Sequence, residues 1–533
     1  IILTTCVLVL TGCSDEFFNI NQSPNSAVEE NMTPSLLLPR ALHRTASESA
    51  INNDEYLRWM GYWARCSGTY GPNVDEEAYL LSSSFRRASY LNWYNILKDF
   101  DVIEKKSRAR NETAYLAIAK IMKTIGFMQL VDQYNNVPYS KAFDLEKNML
   151  TPYDKGQDIY KDLIVQLDSA DILLKSADIT ANLDIKTADI MFKGELSKWR
   201  KFGNTQRLRL ILHQSEILGN SGLKTEIDKI VANGAGFLGA GETAEVQPTY
   251  SKDAGKQNPY WDTFNINDAG GLDNFNRANT YFLDLLRDNN DIRYQYFYSK
   301  ASSPKSGNEY YGFEYGFDYP TGTPEGDKYA APNSSNVAGP GIAKSATMAQ
   351  WLLPSFESLF MQAEAIQRGA LAGDAKAAYE AAVKESFVWL NVTNALTEAT
   401  SYLNSELKTF AVWDENTDKL KLIMTQKYIA MFGINGLETW TDFRRVGIPA
   451  QADILSISPS RGNNVIPSRL IYPLEEYQYN SENVLKFIPK GLQLYGKKAQ
   501  VGIDLAVTDI TKIVGGAIFQ SGKKDIKKYD EVP

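Results

Sequence analysis

Aromatic residues in the loops are the part of this sequence whose types and placement could do chemistry. Residues 294–329 carry many Tyr and Phe in a stretch too rich in Gly and Pro for regular helix or sheet. An aromatic ring can lie flat against a sugar while nearby Asn, Asp, Arg and Gln bond its hydroxyls. This predicts a ligand-binding surface, although most of the 30 Tyr and 23 Phe must lie in the core. The candidate contacts are Tyr70, Trp261, Tyr296, Tyr310, Tyr311, Tyr315 and Tyr319.

The sequence offers less evidence for a catalytic site than for a binding surface. The sequence has two histidines, His43 and His213, and no H-E-x-x-H motif, Cys/His cluster or G-x-S-x-G elbow. Both histidines are predicted to be hydrogen-bonded structural residues. Two carboxylates facing a substrate could occur among the 64 acidic residues, but sequence spacing cannot show such a pair. We therefore predict a binding protein without a catalytic residue, and keep a glycoside hydrolase as the alternative from another class.

Oxygen donors close in sequence raise the question of a metal. Asp262, Asn265, Asn267 and Asp268 could hold a calcium ion, but the EF-hand pattern and its Gly are absent. An ordinary turn is the preferred interpretation, and no cofactor is predicted. The Gly pair that follows lacks the G-x-G-x-x-G order, which argues against a nucleotide site.

An apolar run near the start of the sequence ends in Leu-Thr-Gly-Cys at Cys13. This matches a bacterial lipobox, in which cleavage before Cys13 leaves it as an acylated N-terminus. The charged start of such a signal is missing, so the sequence is expected to begin inside it. Residues 14–34 are predicted to be an extended tether. Because Cys6 lies in the signal and Cys13 would be lipidated, no disulfide is expected, and Cys66 is predicted to be buried.

Bulk composition narrows the class of protein. The net charge is -8 without a basic run, which argues against nucleic acid as a partner. Hydrophobic residues make up 44% and charged residues 23%, as in a folded globular protein. No second apolar run is expected to reach the roughly 18 residues of a membrane span, so anchoring would be by lipid alone.

Helical periodicity must supply the elements that position the loops. Apolar spacings of three and four predict helices from about residue 35, with Thr113–Tyr134 at the centre of the bundle. Two antiparallel helices within residues 352–390 have the size of a tetratricopeptide unit. The prediction is one domain over residues 35–533, with helical hairpins at about 35–233 and 351–445 and a loop-rich insert at about 234–350.

Six segments in order resemble one family, the SusD/RagB-like lipoproteins of Bacteroidota. The most specific is "LVDQYNNVPYSKAF" at residues 130–143, in which Asn136 stands where Gly is common and is expected to tolerate a left-handed conformation. Acidic residues after Cys13 resemble the family's surface-export signal. The other segments are "TPYDKGQDIYKDLIVQLDSA", "KGELSKWRKFGNTQRLRL", "SFESLFMQAEAIQRG", "GINGLETWTDFRRVGIPA" and "IPSRLIYPLEEYQYN".

The resemblance implies a fold and a role. The implied fold is mainly α, a SusD-like α/α superhelix of tetratricopeptide-like hairpins with an irregular ligand-facing region. The implied role is capture of an oligosaccharide or polysaccharide at the outer-membrane surface and delivery to a SusC-like TonB-dependent porin. Peptide capture, as in some RagB-like relatives, is the alternative within this class. The matching motifs are structural, including a buried group at Trp440 and Arg444, and do not identify the residues that touch ligand.

Overall fold

Helices carry most of the described chain. The computed structural model describes residues 32–487, except residues 145, 183, 305–306, 320–329, 406–409 and 462–463. The signal segment, Cys13 and nearly all of the predicted tether lie outside the described residues. Lipidation and the domain boundaries therefore stay predictions.

The first helical block starts where Thr33 caps α1 by accepting a hydrogen bond from the Leu36 backbone N–H. The connections from α4 to α5 and from α8 to α9 are only one or two residues long, and such short connections favour antiparallel neighbours. Its helices are α1 Pro34–Ile51, α2 Asp54–Trp59, α3 Val74–Glu77, α4 Arg87–Arg110, α5 Thr113–Tyr134, α6 Gly156–Ser176, α7 Ile185–Ala188, α8 Leu196–His213 and α9 Ser215–Ala232.

Helix α5 lies at the centre of this block, as predicted. It packs against α4 and α6, and nearly all of its side chains are buried. By length and hydropathy α5 is the one helix of the described chain that could cross a membrane. The expectation that no second apolar run is long enough was therefore wrong. Because neighbouring helices cover α5, its apolar surface is accounted for by the protein core.

The turn after α5 corrects one detail of the sequence analysis. The residue with positive φ at this turn is Asn135, with φ 68°, and not Asn136. The Asn136 side chain instead accepts a hydrogen bond from the Gly156 backbone N–H at 3.0 Å. Tyr472 donates to the Asn136 carbonyl at 2.6 Å. This junction thus joins α5, the start of α6 and a segment near the end of the described chain.

Short elements follow in the loop-rich region, where regular structure is sparse. Its helices are α10 Pro259–Phe264, α11 Thr280–Asp288 and α12 Tyr294–Phe297. The strands of the described chain pair only two by two, all antiparallel. The pairs are β1 Trp63–Arg65 with β5 Asn276–Ala278, β2 Val137–Pro138 with β3 Tyr153–Asp154, and β4 Ala244–Val246 with β6 Gln350–Leu353.

A second helical block contains the predicted hairpin. Its two helices, α13 and α14, pack against each other along their apolar stripes, and Asp374 caps the second by accepting from the Ala377 N–H at 2.8 Å. The block consists of α13 Ser355–Gln367, α14 Ala375–Trp389, α15 Ala395–Leu403, α16 Lys419–Ala430, α17 Gly436–Val446, α18 Gln451–Ile454, α19 Leu474–Tyr479 and α20 Ser481–Val484. In α17 the Arg444 guanidinium lies 3.6 Å from the ring centre of Trp440, as the resemblance implied.

A buried charge network joins the two blocks. The Glu438 carboxylate on α17 lies 2.9 Å from Lys427 Nζ, 3.1 Å from His213 Nε2 and 3.2 Å from Arg209 Nε. Burial alone would lower the pKa of His213, but Glu438 and Asp132 raise it to about 9. The imidazole is therefore a charged structural group at neutral pH, in agreement with its predicted structural role.

Candidate functional site

Arg65 brings two of the predicted ligand loops together. This buried residue ends β1, and its guanidinium donates from Nη1 to the Tyr70 carbonyl and from Nη2 to the Phe317 carbonyl, the latter at 3.4 Å. The Arg65 side chain therefore holds the Tyr70 loop and the Phe317 loop next to each other. Tyr70 and Phe317 are themselves exposed, at 37% and 39%.

Two consecutive glutamates on α3 hold two arginines beneath these loops. Glu77 receives Arg65 through two contacts, at 2.8 and 3.2 Å. Glu76 receives Arg58 in the same way, at 2.6 and 2.9 Å. All four side chains are buried. Paired charges with this fork geometry are strong and directional, so they fix the position of the backbone above them.

Phe275 is placed next to Tyr70 by the same arginines. The Phe275 and Tyr70 rings meet edge to face with centroids 5.1 Å apart, and Arg58 lies over the Phe275 ring at 5.4 Å. Arg277 donates to the carbonyls of Asp273 and Asn276 at 2.8 and 2.7 Å, which ties down the loop that carries Phe275. Burial lowers the pKa of Arg277.

The loop that carries Phe317 is anchored at Gly316. This residue has φ +86°, and a Cβ there would lie 2.1 Å from Ser456 Oγ and 2.8 Å from the Ser458 backbone N. Only Gly allows this close approach. The exposed or partly exposed rings of Tyr70, Phe275 and Phe317 are called the aromatic surface below, and exposed polar residues at Asn274 and Asp318 flank it in sequence.

Four of the sequence-predicted contacts lie in other surroundings, and all four are partly buried. Trp261 lies on α10 and packs on the core. Tyr296 accepts from the Thr393 backbone N–H at 2.9 Å. Tyr310 meets Tyr294 edge to face, and burial raises the pKa of Tyr310 to about 12. Tyr311 pairs through its backbone with Ser335, and its ring meets Phe313. Their part in ligand binding stays a prediction.

Two other predicted contacts are buried instead of facing solvent. Tyr315 is 4% exposed, and its hydroxyl donates to Glu76 at 3.2 Å, so its ring belongs to the support beneath the surface. Tyr319 is 8% exposed and packs against Phe313 and Phe317. Both side chains turn inward because the loop lies on the β1–α3 segment, which the local sequence does not reveal.

The possible calcium ligands form a turn. The Asp262 carboxylate accepts from the Asp268 backbone N–H at 2.8 Å, and the Asn267 amide oxygen accepts from those of Ala269 and Gly271. Asp268 in turn accepts from Gly255 at 3.0 Å. These oxygens cap backbone donors, as expected of a turn. Among the described residues, no group of three or more His, Cys, Asp and Glu has the arrangement of a metal site.

Sequence reasoning missed Phe275, Phe317 and the two arginine–glutamate pairs. The one local signal was the pair Glu76–Glu77 directly after the exposed loop of Tyr70, since consecutive carboxylates need cations nearby when they are buried. Cys66 follows β1 and is buried as predicted, with its Sγ donating to Thr69 Oγ1 at 3.3 Å. Burial raises the pKa of this thiol, which disfavours its thiolate form.

The fold and this site define a mainly helical binding protein that presents rigidly held aromatic rings to solvent. Such rings bind ligands at a low cost in conformational entropy. A family model for SusD-like proteins, described as starch-binding and associating with the outer membrane, matches residues 24–473. The chain therefore belongs to the SusD-like family, a family of binding proteins.

Solved structures confirm the fold class. A SusD homologue from Bacteroides uniformis is 23% identical, with a TM-score of 0.66 over 87% of this chain and 98% of its own. One from Bacteroides fragilis is 20% identical, with a TM-score of 0.68 over 88% and 98%. A chitin-binding SusD homologue from Flavobacterium johnsoniae is 22% identical, with a TM-score of 0.67 over 90% and 98%. A search of curated proteins gave no match.

Proposed function

We propose that this protein captures an oligosaccharide or polysaccharide on its aromatic surface and delivers it to a SusC-like TonB-dependent importer. The observation that carries the proposal is the pair of rings at Tyr70, which is exposed, and Phe275, which is partly exposed, with buried Arg65 and Arg58 beneath them. Membership of a family described as starch-binding and the chitin-binding relative support a saccharide as ligand. No turnover is part of the proposal, because importer and separate hydrolases would supply the other steps.

Removing the two rings should weaken saccharide binding. Each aromatic contact is expected to contribute about tenfold in affinity, so Tyr70→Ala with Phe275→Ala should reduce binding by roughly a hundredfold. The measurement is affinity electrophoresis and calorimetry of the chain beginning after Cys13 against starch, chitin oligosaccharides, other soluble glycans and peptides, with product release scored in parallel.

Tyr479→Ala is the matched control, since Tyr479 is 72% exposed on α19 and lies outside the aromatic surface. It should bind like the wild type. If the double variant binds saccharide as tightly as this control, the aromatic surface is not the binding site. If only peptides bind, the ligand is a peptide and not a saccharide. Release of shortened sugars would indicate a hydrolase.

Surface anchoring through an acylated Cys13 is the second part of the proposal. Several acyl chains hold a protein on a membrane far better than one. Cys13→Ala should therefore move the protein from the membrane fraction to the soluble fraction, with its thermal unfolding unchanged. A Cys13→Ala protein that still sediments with membranes would show that something other than this lipid holds it there.

A further inference from the structure

A cleft of about 590 Å³ lies between α4, α5 and α6, and it shares no residue with the aromatic surface. Its volume is within the range of small-molecule pockets, roughly 300–1,000 Å³. The cleft lies beside the C-terminal half of α4. The opposite end of α4 follows Arg86, which ion-pairs with Glu55 of α2. The cleft belongs to the helical scaffold, to which the proposed function assigns no ligand.

Paired charges form the inner wall of the cleft. Lys123 Nζ lies 3.1 Å from Asp101 Oδ1 and 3.0 Å from Glu104 Oε2. Lys120 Nζ donates to Gln166 Oε1 at 2.5 Å and lies 3.4 Å from Glu104. Although burial alone would raise it, Lys123 and Lys120 lower the pKa of Glu104, so the wall holds charged donors and acceptors side by side.

Aromatic rings form another wall. Tyr139 and Phe127 meet edge to face at 4.6 Å, and Phe143 lies 6.3 Å from Phe127 and 5.8 Å from Lys123 Nζ. Tyr139 also donates to Asp162, which accepts from Gln166 Nε2 at 3.1 Å. Apolar ring faces beside a dense set of donors and acceptors suit a molecule whose own faces are apolar and whose edge carries hydroxyls.

The charged groups that line the cleft restrict which of these molecules can bind. Six carboxylates and three ammonium groups line the cleft. The carboxylates of Asp144 and Asp158 are the more exposed ones, at 43% and 58% of the side chain. This excess of negative charge disfavours an acidic ligand.

We propose that the cleft between α4, α5 and α6 is a second saccharide site that holds one or two neutral sugar rings. This proposal takes its ligand class from the proposed function, but it involves different residues. The test of either site can therefore fail without the other. A polymer held at two sites binds more tightly than at one, since the second contact is intramolecular.

The test fills the cleft without touching the aromatic surface. Ala142 lines the cleft, and Ala142→Trp should occupy it. Val165→Trp is the matched control, because Val165 is 57% exposed on α6 and does not line the cleft. Both are placed in the Tyr70→Ala, Phe275→Ala background, and all variants are first compared by thermal unfolding. Ligand-observed NMR and calorimetry use maltose, cellobiose and N,N′-diacetylchitobiose, with glucuronic acid as the acidic probe.

At least one neutral disaccharide should bind to the double variant, and Ala142→Trp should weaken that binding at least tenfold while Val165→Trp leaves it unchanged. Phe143→Leu, which removes the ring but keeps an apolar side chain, should weaken it severalfold and serves if Ala142→Trp does not fold. Loss of all binding in the double variant would overturn the cleft proposal and leave the aromatic surface intact. Equal binding by the two Trp variants, or preference for glucuronic acid, would also overturn it.

Discussion

Replacing Glu438 by Gln is expected to lower the free energy of unfolding by about 3 kcal/mol, because three buried cations then lose a shared counter-charge. Lys427, His213 and Arg209 all face this carboxylate from other helices. The loss is placed at the low end for broken buried ion pairs, since Lys427 keeps Asp442 at 2.7 Å. Denaturant unfolding of the chain beginning after Cys13 measures it.

The matched control is Asp228→Asn. Asp228 pairs with Lys224 at 2.7 Å, but both side chains are more than half exposed, so the change should cost less than about 0.5 kcal/mol. A Glu438→Gln protein as stable as this control would show that the network contributes little to stability.

The pH dependence of stability gives a second readout for Glu438. The pKa of His213 is raised from 6.5 to about 9 in the folded protein. Its stabilising contribution is therefore complete below pH 6.5 and disappears as the pH rises through about 9. In Glu438→Gln the pKa of His213 should fall towards the ordinary value, and this loss of stability between pH 6.5 and 9 should shrink. NMR titration of the His213 ring measures it directly.

Replacing Arg65 is expected to affect stability and ligand binding together. Arg65→Ala leaves Glu77 buried without its cation, which costs roughly 3–5 kcal/mol. It also releases the carbonyls of Tyr70 and Phe317, so the rings lose their fixed positions. Saccharide affinity should fall about tenfold, because the ligand must then order the loops itself. Calorimetry with the glycan identified from the panel measures the change.

Arg65→Lys separates the two effects. Lysine keeps the charge but cannot make the forked contact with Glu77 and also bond two carbonyls. It should therefore recover part of the stability while affinity stays low. Arg445→Lys is the matched control, since Arg445 is equally buried and pairs with Glu364 at 2.8 Å away from the aromatic surface. It should lower stability and leave affinity unchanged. Full affinity in Arg65→Lys would show that the loops do not need this anchor.

Local pattern was enough to predict the helical frame. The stripes of α13 and α14 repeat every three to four residues, and the apolar run of α5 covers most sides of that helix. Helices with these patterns must bury their apolar surface whatever covers it. The Trp440 and Arg444 group was implied by the family resemblance, and the two residues meet because they lie one turn apart on one helix.

The binding surface could be predicted only in part. Tyr70 is exposed as expected, since it lies in a short loop of Gly, Pro and Asn, and such loops run over the protein surface. Tyr315 has a similar local sequence around it but is buried on Glu76, which lies 239 positions away. Phe317, two residues further, points outward. In an irregular loop no periodicity relates neighbouring side chains, so sequence gives no rule for which ring faces solvent.

By itself the sequence determined the class of fold, the family and the presence of an aromatic loop region, because helix periodicity and turn chemistry are local properties. The tertiary structure alone decided which rings form the surface, since exposure depends on which distant segment covers each residue. It also decided that Arg65 and Arg58 would hold those rings, and that α4, α5 and α6 would leave a cleft between them. Contacts across hundreds of residues follow from how the helices pack, and no local spacing records them.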